Sequence, residues 1–342
     1  MSYRIAINGL GRIGRCVLRA FFESNDHDGL EIVALNELAD IQTLAHLTRY
    51  DSTHGKFAGA VEVDGAALII NGKRLAVSNV RELQSLTWRE QNIDLVMECT
   101  GSFSDRATAE LHLKSGAGRV LLSQPAAAAA DVDATIVYGV NHQTLRPQHK
   151  LVSNASCTTN CIVPVIQALH NAVGIEHGVL TTIHSAMNDQ PVLDAYHHTD
   201  LRKTRSAMHS IIPVDTGLAR GIDRLLPELA GRFEAQAMRV PTMNVSAIDL
   251  SVVVTKAVDR DAINAMLQAA ARAYPPGVLG CTSEPLASCD FNHDLRSGIV
   301  DLSQTRVSGK HLVKVLVWFD NEWAFANRML DVAKLLGQLP QQ

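Results

Sequence analysis

Apolar and polar positions alternate differently in the two halves of the chain. In the first half, short apolar runs take turns with segments of helical spacing. YRIAIN (3–8) predicts a strand, GLGRIGR (9–15) a glycine turn, and CVLRAFFES (16–24) a helix whose apolar positions recur three and four residues apart. EIVALNE (31–37), IDLVMECTG (93–101), RVLLS (119–123), ATIVYGV (134–140) and KLVSN (150–154) predict further strands. This alternation predicts an α/β fold with a doubly wound parallel sheet of the Rossmann type.

Beyond residue 156 the apolar runs lengthen. GVLTTIHS (178–185), RFEAQAMRVP (232–241), VSAIDLSVVVTK (245–256) and HLVKVLVWF (311–319) predict an α+β domain on a largely antiparallel sheet. EWAFANRMLDVAKLLGQL (322–339) has helical spacing. The expected organisation is a first domain at 1–156, a second at 157–321, and a terminal segment, 322–342, that packs back on the first. The alanine run 126–130, between Pro125 and Asp131, predicts a loop or short helix without chemistry.

At 342 residues and 46% hydrophobic content the chain can bury large cores. Its net charge of −4 offers no basic field for nucleic acid or a membrane surface, so an anionic ligand must be held by a local group of Lys and Arg. No charged-then-apolar leader stands at the start, and no apolar run nears the roughly 20 residues that span a bilayer. The expectation is a cytoplasmic protein with a small-molecule partner. Six cysteines, at 16, 99, 157, 161, 281 and 289, form no CxxC pair, which favours free thiols. Cys157 and Cys161 are too few for a metal site, and none is expected.

Gly9, Gly11 and Gly14 spell GxGxxG between a strand and a helix, the setting in which the pattern carries meaning. The first allows the tight turn, the second lets backbone approach a pyrophosphate, and the third lets helix and strand pack closely. Glu37, at the end of the second strand, stands where a carboxylate accepts hydrogen bonds from ribose hydroxyls and repels a 2′-phosphate. Together they predict NAD as cofactor rather than NADP. Alone, Glu37 would read as an exposed strand-end carboxylate.

SNASCTTNC (153–161) places a cysteine where a strand gives way to a helix. A helix beginning near Ser156 puts Cys157 in its first turn, where unpaired N–H groups and the helix dipole favour a thiolate. The alternative, a packed structural cysteine, calls for apolar neighbours, but the neighbours are Ser156, Thr158, Thr159 and Asn160. Among fourteen histidines, His184 stands out because it ends a strand at a sheet edge.

SNASCTTNC, NGLGRIGR (8–15), IH (183–184), IIPVDTG (211–217), MRVPT (238–242) and WFDNEW (318–323) occur in this order and resemble the glyceraldehyde-3-phosphate dehydrogenase superfamily along essentially the whole chain. The resemblance implies that Cys157 is the nucleophile and His184 its partner. It implies a cofactor site of Gly9, Gly11, Arg12, Ile13, Gly14, Glu37, Thr100, Ser123 and Asn321, with Asn321 on the nicotinamide carboxamide. Ser156, Thr158, Asp189, Arg202, Thr216, Gly217 and Arg239 are implied on the substrate side, and the assembly implied is a homotetramer.

Departures from the family pattern bear on the substrate. Triose-phosphate enzymes of the superfamily usually carry a phosphate-binding threonine three residues after the histidine; this chain has Met187 there, in HSAMNDQ (184–190). Phe325 stands where a tyrosine is common. HSAM followed by DQ, with NELAD (36–40) and TRYDSTHG (48–55), is similar to a bacterial branch that oxidises erythrose 4-phosphate. A phosphorylating triose-phosphate dehydrogenase is the second reading. A thiol hydrolase or a non-catalytic nucleotide-binding protein is the third, opposed by the glycine motif with Glu37 and by the intact Cys157, His184 and Arg239.

Overall fold

A computed structural model describes residues 2–24 and 26–340. It divides into two compact units, Met1–Ser156 with Phe325–Gln342, and Cys157–Ala324.

In the first unit β1 (Tyr3–Asn8), α1 (Arg12–Glu23), β2 (Leu30–Asn36) and α2 (Ile41–Arg49) lead into a small hairpin, β3 (Tyr50–Asp51) and β4 (Gly55–Lys56). Then come β5 (Val61–Asp64), β6 (Ala67–Ile70), β7 (Lys73–Ser78), β8 (Leu95–Glu98), α3 (Arg106–Lys114), β9 (Arg119–Leu122), β10 (Ala134–Thr135) and β11 (Leu151–Ser153). Nine strands form one sheet in the order β10-β11-β9-β8-β1-β2-β7-β6-β5. All neighbours from β10 to β7 run parallel, and β7, β6 and β5 turn antiparallel. The chain leaves β1 toward β2 on one side and later occupies β8 on the other. That reversal opens a crevice at the carboxyl end of β1, beside the glycine turn. Residues of β1, β8 and β9 are buried almost throughout, as expected of strands covered on both faces.

The second unit begins with α4 (Cys157–Val173), followed by β12 (Ile175–His184), β13 (Ile212–Val214), α5 (Leu218–Leu225), β14 (Phe233–Arg239), β15 (Ser246–Val254) and α6 (Arg260–Ala273). Three strands complete it: β16 (Leu279–Thr282), β17 (Gly298–Ser308) and β18 (Leu312–Phe319). Its sheet has the order β13-β14-β12-β15-β18-β17-β16, mixed but mainly antiparallel, with β14 parallel to β12 and β16 parallel to β17. Apolar residues of β12 fall on a buried and an exposed face, while β15 alternates between buried and half-buried, with α4 packed against this sheet. The last helix, α7 (Trp323–Gln338), crosses the division; from Phe325 it belongs with the first unit. No helix among the described residues is long and apolar enough to cross a membrane.

Some elements differ from those the pattern predicts. The α1 helix begins at Arg12, directly after Gly11, rather than at Cys16. The apolar run 134–140 yields only the two-residue β10, because the Asn141 side chain takes over its backbone: Asn141 Oδ1 accepts the Val137 N–H and Nδ2 donates to Thr135 O, both at 2.8 Å. The alanine run ends in a 3-10 turn at Ala129–Asp131. The hairpins β5 to β7 and the long β17 go unpredicted, although Asp64-Gly65 and Asn71-Gly72 are strong turn signals between the hairpin strands.

Candidate active site

The first unit carries a cavity of about 340 Å³ at the carboxyl ends of its central strands, lined by Gly9, Gly11, Glu37, Thr100 and the amides of Asn8 and Asn36, among others. Gly9 has φ +87, and a Cβ there would sit 2.7 Å from Thr100 Cγ2. Gly11 caps α1 with no side-chain acceptor for the helix's first N–H groups, and a Cβ there would meet nothing within 4 Å. Open space over unsatisfied donors is what a pyrophosphate needs. These residues therefore fit a dinucleotide.

Glu37 is built into this site. Its Oε2 accepts the Leu10 N–H at 2.7 Å and its Oε1 the Leu38 N–H at 2.6 Å, so the carboxylate ties the glycine turn to the end of β2. Gly14 is closed to any side chain, since a Cβ would lie 2.0 Å from Gly9 O. Arg12, Ile13 and Ser123 do not line the cavity. Arg12 makes a two-pronged contact with Asp51, at 2.5 and 3.0 Å. Burial alone would raise the Asp51 carboxyl; the Arg12 bond and the His54 and Thr53 N–H groups outweigh it and hold the group below the usual carboxylate range.

In the second unit Cys157 opens α4, and its Sγ lies 3.9 Å from His184 Nε2. His184 ends β12, and its register partner on the parallel neighbour β14 is Arg239. Because side chains of paired residues on parallel strands point the same way, the two meet: Arg239 Nη1 lies 3.1 Å from His184 Nδ1. Nδ1 is also 2.8 Å from the Ser185 carbonyl oxygen, which can only accept. The shorter contact puts the proton on Nδ1, so the Nε2 lone pair faces the thiol, and Arg239 Nη1, which can only donate, makes no hydrogen bond to Nδ1 and donates to Ser185 O at 3.5 Å.

Charge is scarce at this pair. Burial, and then the Arg239 guanidinium, hold His184 down at about 4, which keeps the imidazole neutral. Burial pushes the Cys157 thiol up to about 11, against the pull of Arg239 and of the Thr158 and Cys157 N–H groups. The first-turn position favours a thiolate, and burial of the sulfur opposes it. Cys157 nonetheless keeps part of its surface exposed. Cys161, one turn on, is buried and its thiol is raised further.

Asp189 does not hydrogen-bond Arg239. Its Oδ2 accepts from Lys203 Nζ at 2.9 Å, a partner that the sequence reading missed. Burial alone would raise the Asp189 carboxyl; the Lys203 bond and the Arg239 charge reverse this and lower it. Arg239 Nε is buried without a hydrogen-bond partner among the described residues. Arg202, Thr216 and Gly217 come together in a separate cavity of about 600 Å³, with Arg220 and Gln236 also on its wall. Ser156 and Thr158 flank the nucleophile. Asn321, in this unit, is oriented by two buried hydroxyls, Ser185 and Ser246, which donate to its Oδ1 at 2.9 and 2.8 Å. No local pattern marks Ser246 or Lys203; only the tertiary fold brings them here.

Comparison with known families gives two matches. Residues 3–106 match the family model described as glyceraldehyde 3-phosphate dehydrogenase, NAD binding domain, and residues 156–321 match glyceraldehyde 3-phosphate dehydrogenase, C-terminal domain. Together they account for most of the chain. The chain belongs to the glyceraldehyde-3-phosphate dehydrogenase family. It is an NAD-dependent oxidoreductase, its first unit holds the NAD, and aldehyde oxidation is the family's general reaction.

Within this family member, Glu37 is expected to set the choice of cofactor. Glu37→Ala removes both the charge that repels a 2′-phosphate and the clasp on Leu10, so kcat/KM with NAD should fall by about tenfold or more while NADP gains little. Initial rates with each cofactor measure this. Equal turnover of NAD and NADP by the unaltered protein would refute the assignment.

Proposed function

We propose that the protein is a D-erythrose-4-phosphate dehydrogenase, oxidising the aldehyde of D-erythrose 4-phosphate to 4-phospho-D-erythronate, a step toward pyridoxal phosphate. The observation that carries a phosphorylated substrate is the half-buried Arg239, whose Nε lacks a hydrogen-bond partner among the described residues while Asp189 is occupied by Lys203. A forked cation with a donor to spare beside a thiol is a receptor for an oxyanion. The observation that favours a tetrose over a triose is Met187, 45% exposed, whose thioether supplies no hydrogen-bond donor. A phosphate that cannot rest there sits further from the nucleophile, which the extra carbon of the tetrose allows.

The residues divide the chemistry as follows. Cys157 Sγ attacks the aldehyde carbon, the carbonyl electron pair moves onto oxygen, and the thiol proton passes to the Nε2 lone pair of His184. The backbone N–H of Cys157 and the imidazole of His184 stabilise the developing oxyanion. Proton return from His184 to oxygen gives a thiohemiacetal on Cys157. Gly9, Gly11, Glu37 and Thr100 would hold NAD in the first unit, and NAD, when bound, would supply the hydride acceptor for conversion of this adduct to a thioester. His184 Nε2 takes the hydroxyl proton in that step. That proton leaves His184 for solvent; the freed Nε2 then takes a proton from water, whose oxygen attacks the thioester carbon, and the departing sulfur takes the proton back from Nε2.

Steady-state kinetics test the reading. Erythrose 4-phosphate should show the higher kcat/KM, and its oxidation should proceed without inorganic phosphate. A clear preference for glyceraldehyde 3-phosphate with strict dependence on phosphate would instead establish the triose-phosphate reading, in which Arg202, Thr216 and Gly217 hold the attacking phosphate.

A further inference from the structure

Four adjacent strands of the first unit, β7, β2, β1 and β8, end in register on polar residues: Ser78 pairs with Asn36, Asn36 with Asn8, and Asn8 with Glu98. Their side chains form one hydrogen-bonded row. Ser78 Oγ donates to Asn36 Oδ1 at 2.9 Å, Asn36 Nδ2 to Asn8 Oδ1 at 2.8 Å, and Asn8 Nδ2 to Glu98 Oε2 at 2.6 Å. From the opposite side Trp88 Nε1 donates to His112 Nδ1 at 3.1 Å, which leaves the His112 proton on Nε2, 2.9 Å from the same Glu98 oxygen. The Thr100 N–H and hydroxyl donate to the other oxygen, at 2.8 and 2.5 Å.

Every donor in this row is aimed at Glu98, which is 1% exposed and does not itself line the cofactor cavity. Asn8, Asn36 and Thr100 do line it. An asparagine amide has two orientations that differ little in shape, and only its partners choose between them. Turning Asn8 over would set its carbonyl against the carboxylate and its NH2 against that of Asn36. Asn36 is held the same way round by backbone, since the Val80 N–H donates to its Oδ1 at 2.9 Å and its Nδ2 donates to Val80 O at 2.8 Å; at Asn8 the choice falls to Glu98 and Asn36.

We infer that Glu98 is a positioning residue for the cofactor: its buried carboxylate, held by His112 and Thr100, fixes the amide orientation of Asn8 and so presets that part of the wall of the NAD cavity. A preset wall spares the bound dinucleotide the cost of ordering it. Glu98→Gln keeps the shape but replaces one acceptor oxygen by a donor, so the row loses its direction.

Calorimetric titration of the full-length protein with NAD tests this. Glu98→Gln should raise the Kd for NAD by about tenfold or more, with kcat at saturating NAD within about twofold of the unaltered protein for the better of the two sugar phosphates. Asn8→Ser should weaken NAD several-fold in the unaltered protein yet change little in the E98Q background, because both substitutions cut the same hydrogen bond. An unchanged Kd in E98Q, or two substitutions that simply multiply, would overturn the inference. If E98Q does not fold, Glu98→Asp, which draws the carboxylate back from Asn8, should raise the Kd several-fold, and an unchanged Kd there overturns the inference.

Discussion

Cys157→Ser should abolish aldehyde oxidation, by at least about 10⁴-fold, while NAD still binds with near-normal affinity. A serine hydroxyl is far harder to deprotonate than a thiol, and the only base facing it is His184, held at about 4 and therefore weak. The cofactor cavity lies in the other unit and contains neither residue. NADH formation and NAD titration on the same preparation check both halves. Residual turnover of more than a few per cent would remove the covalent step from the mechanism.

His184→Asn should slow oxidation by about 10²–10⁴-fold, the usual contribution of a general base. It should also change how stability depends on pH. In the folded protein the imidazole is depressed from its ordinary 6.5 to about 4, so the fold favours its neutral form. That contribution is fully present above pH 6.5 and is lost as pH falls toward 4, because the unfolded chain takes up the proton first. Its full size is on the order of 3 kcal/mol. Melting temperatures of the two proteins should thus diverge less in acid than at neutral pH. A difference that stayed constant from pH 7 to pH 4 would contradict the depressed histidine.

Elements that carry the site were legible because the chemistry there is local. A glycine turn after a strand declares itself by spacing, and a cysteine at a strand-to-helix junction by its polar neighbours. His184 was visible as a strand end. Partners that complete the site were not, because they arise from register and packing: Arg239 meets His184 only through the pairing of β14 with β12, and Lys203 reaches Asp189 across an irregular stretch. The electrostatics at Cys157 depend on packing for the same reason. Sequence shows the helix start that favours a thiolate, but not the burial that opposes it. The failed strand at 134–140 shows the limit of hydrophobic runs, since one asparagine side chain supplied the backbone with other partners.

The parallel pairing of β12 with β14 also bears on how this protein can change over generations. His184 and Arg239 sit on the last rung of one ladder, so deleting a single residue from β14 would bring Val240 to the place of Arg239 and remove the cation in one step. Met187 stands beyond that ladder, on an irregular stretch whose Val192, Leu193, Tyr196 and Leu201 are all widely exposed. Drift is cheap there and ruinous two or three residues earlier. New substrates can be sampled by substitutions and length changes between residues 187 and 211, which leave His184 and Arg239 on their rung.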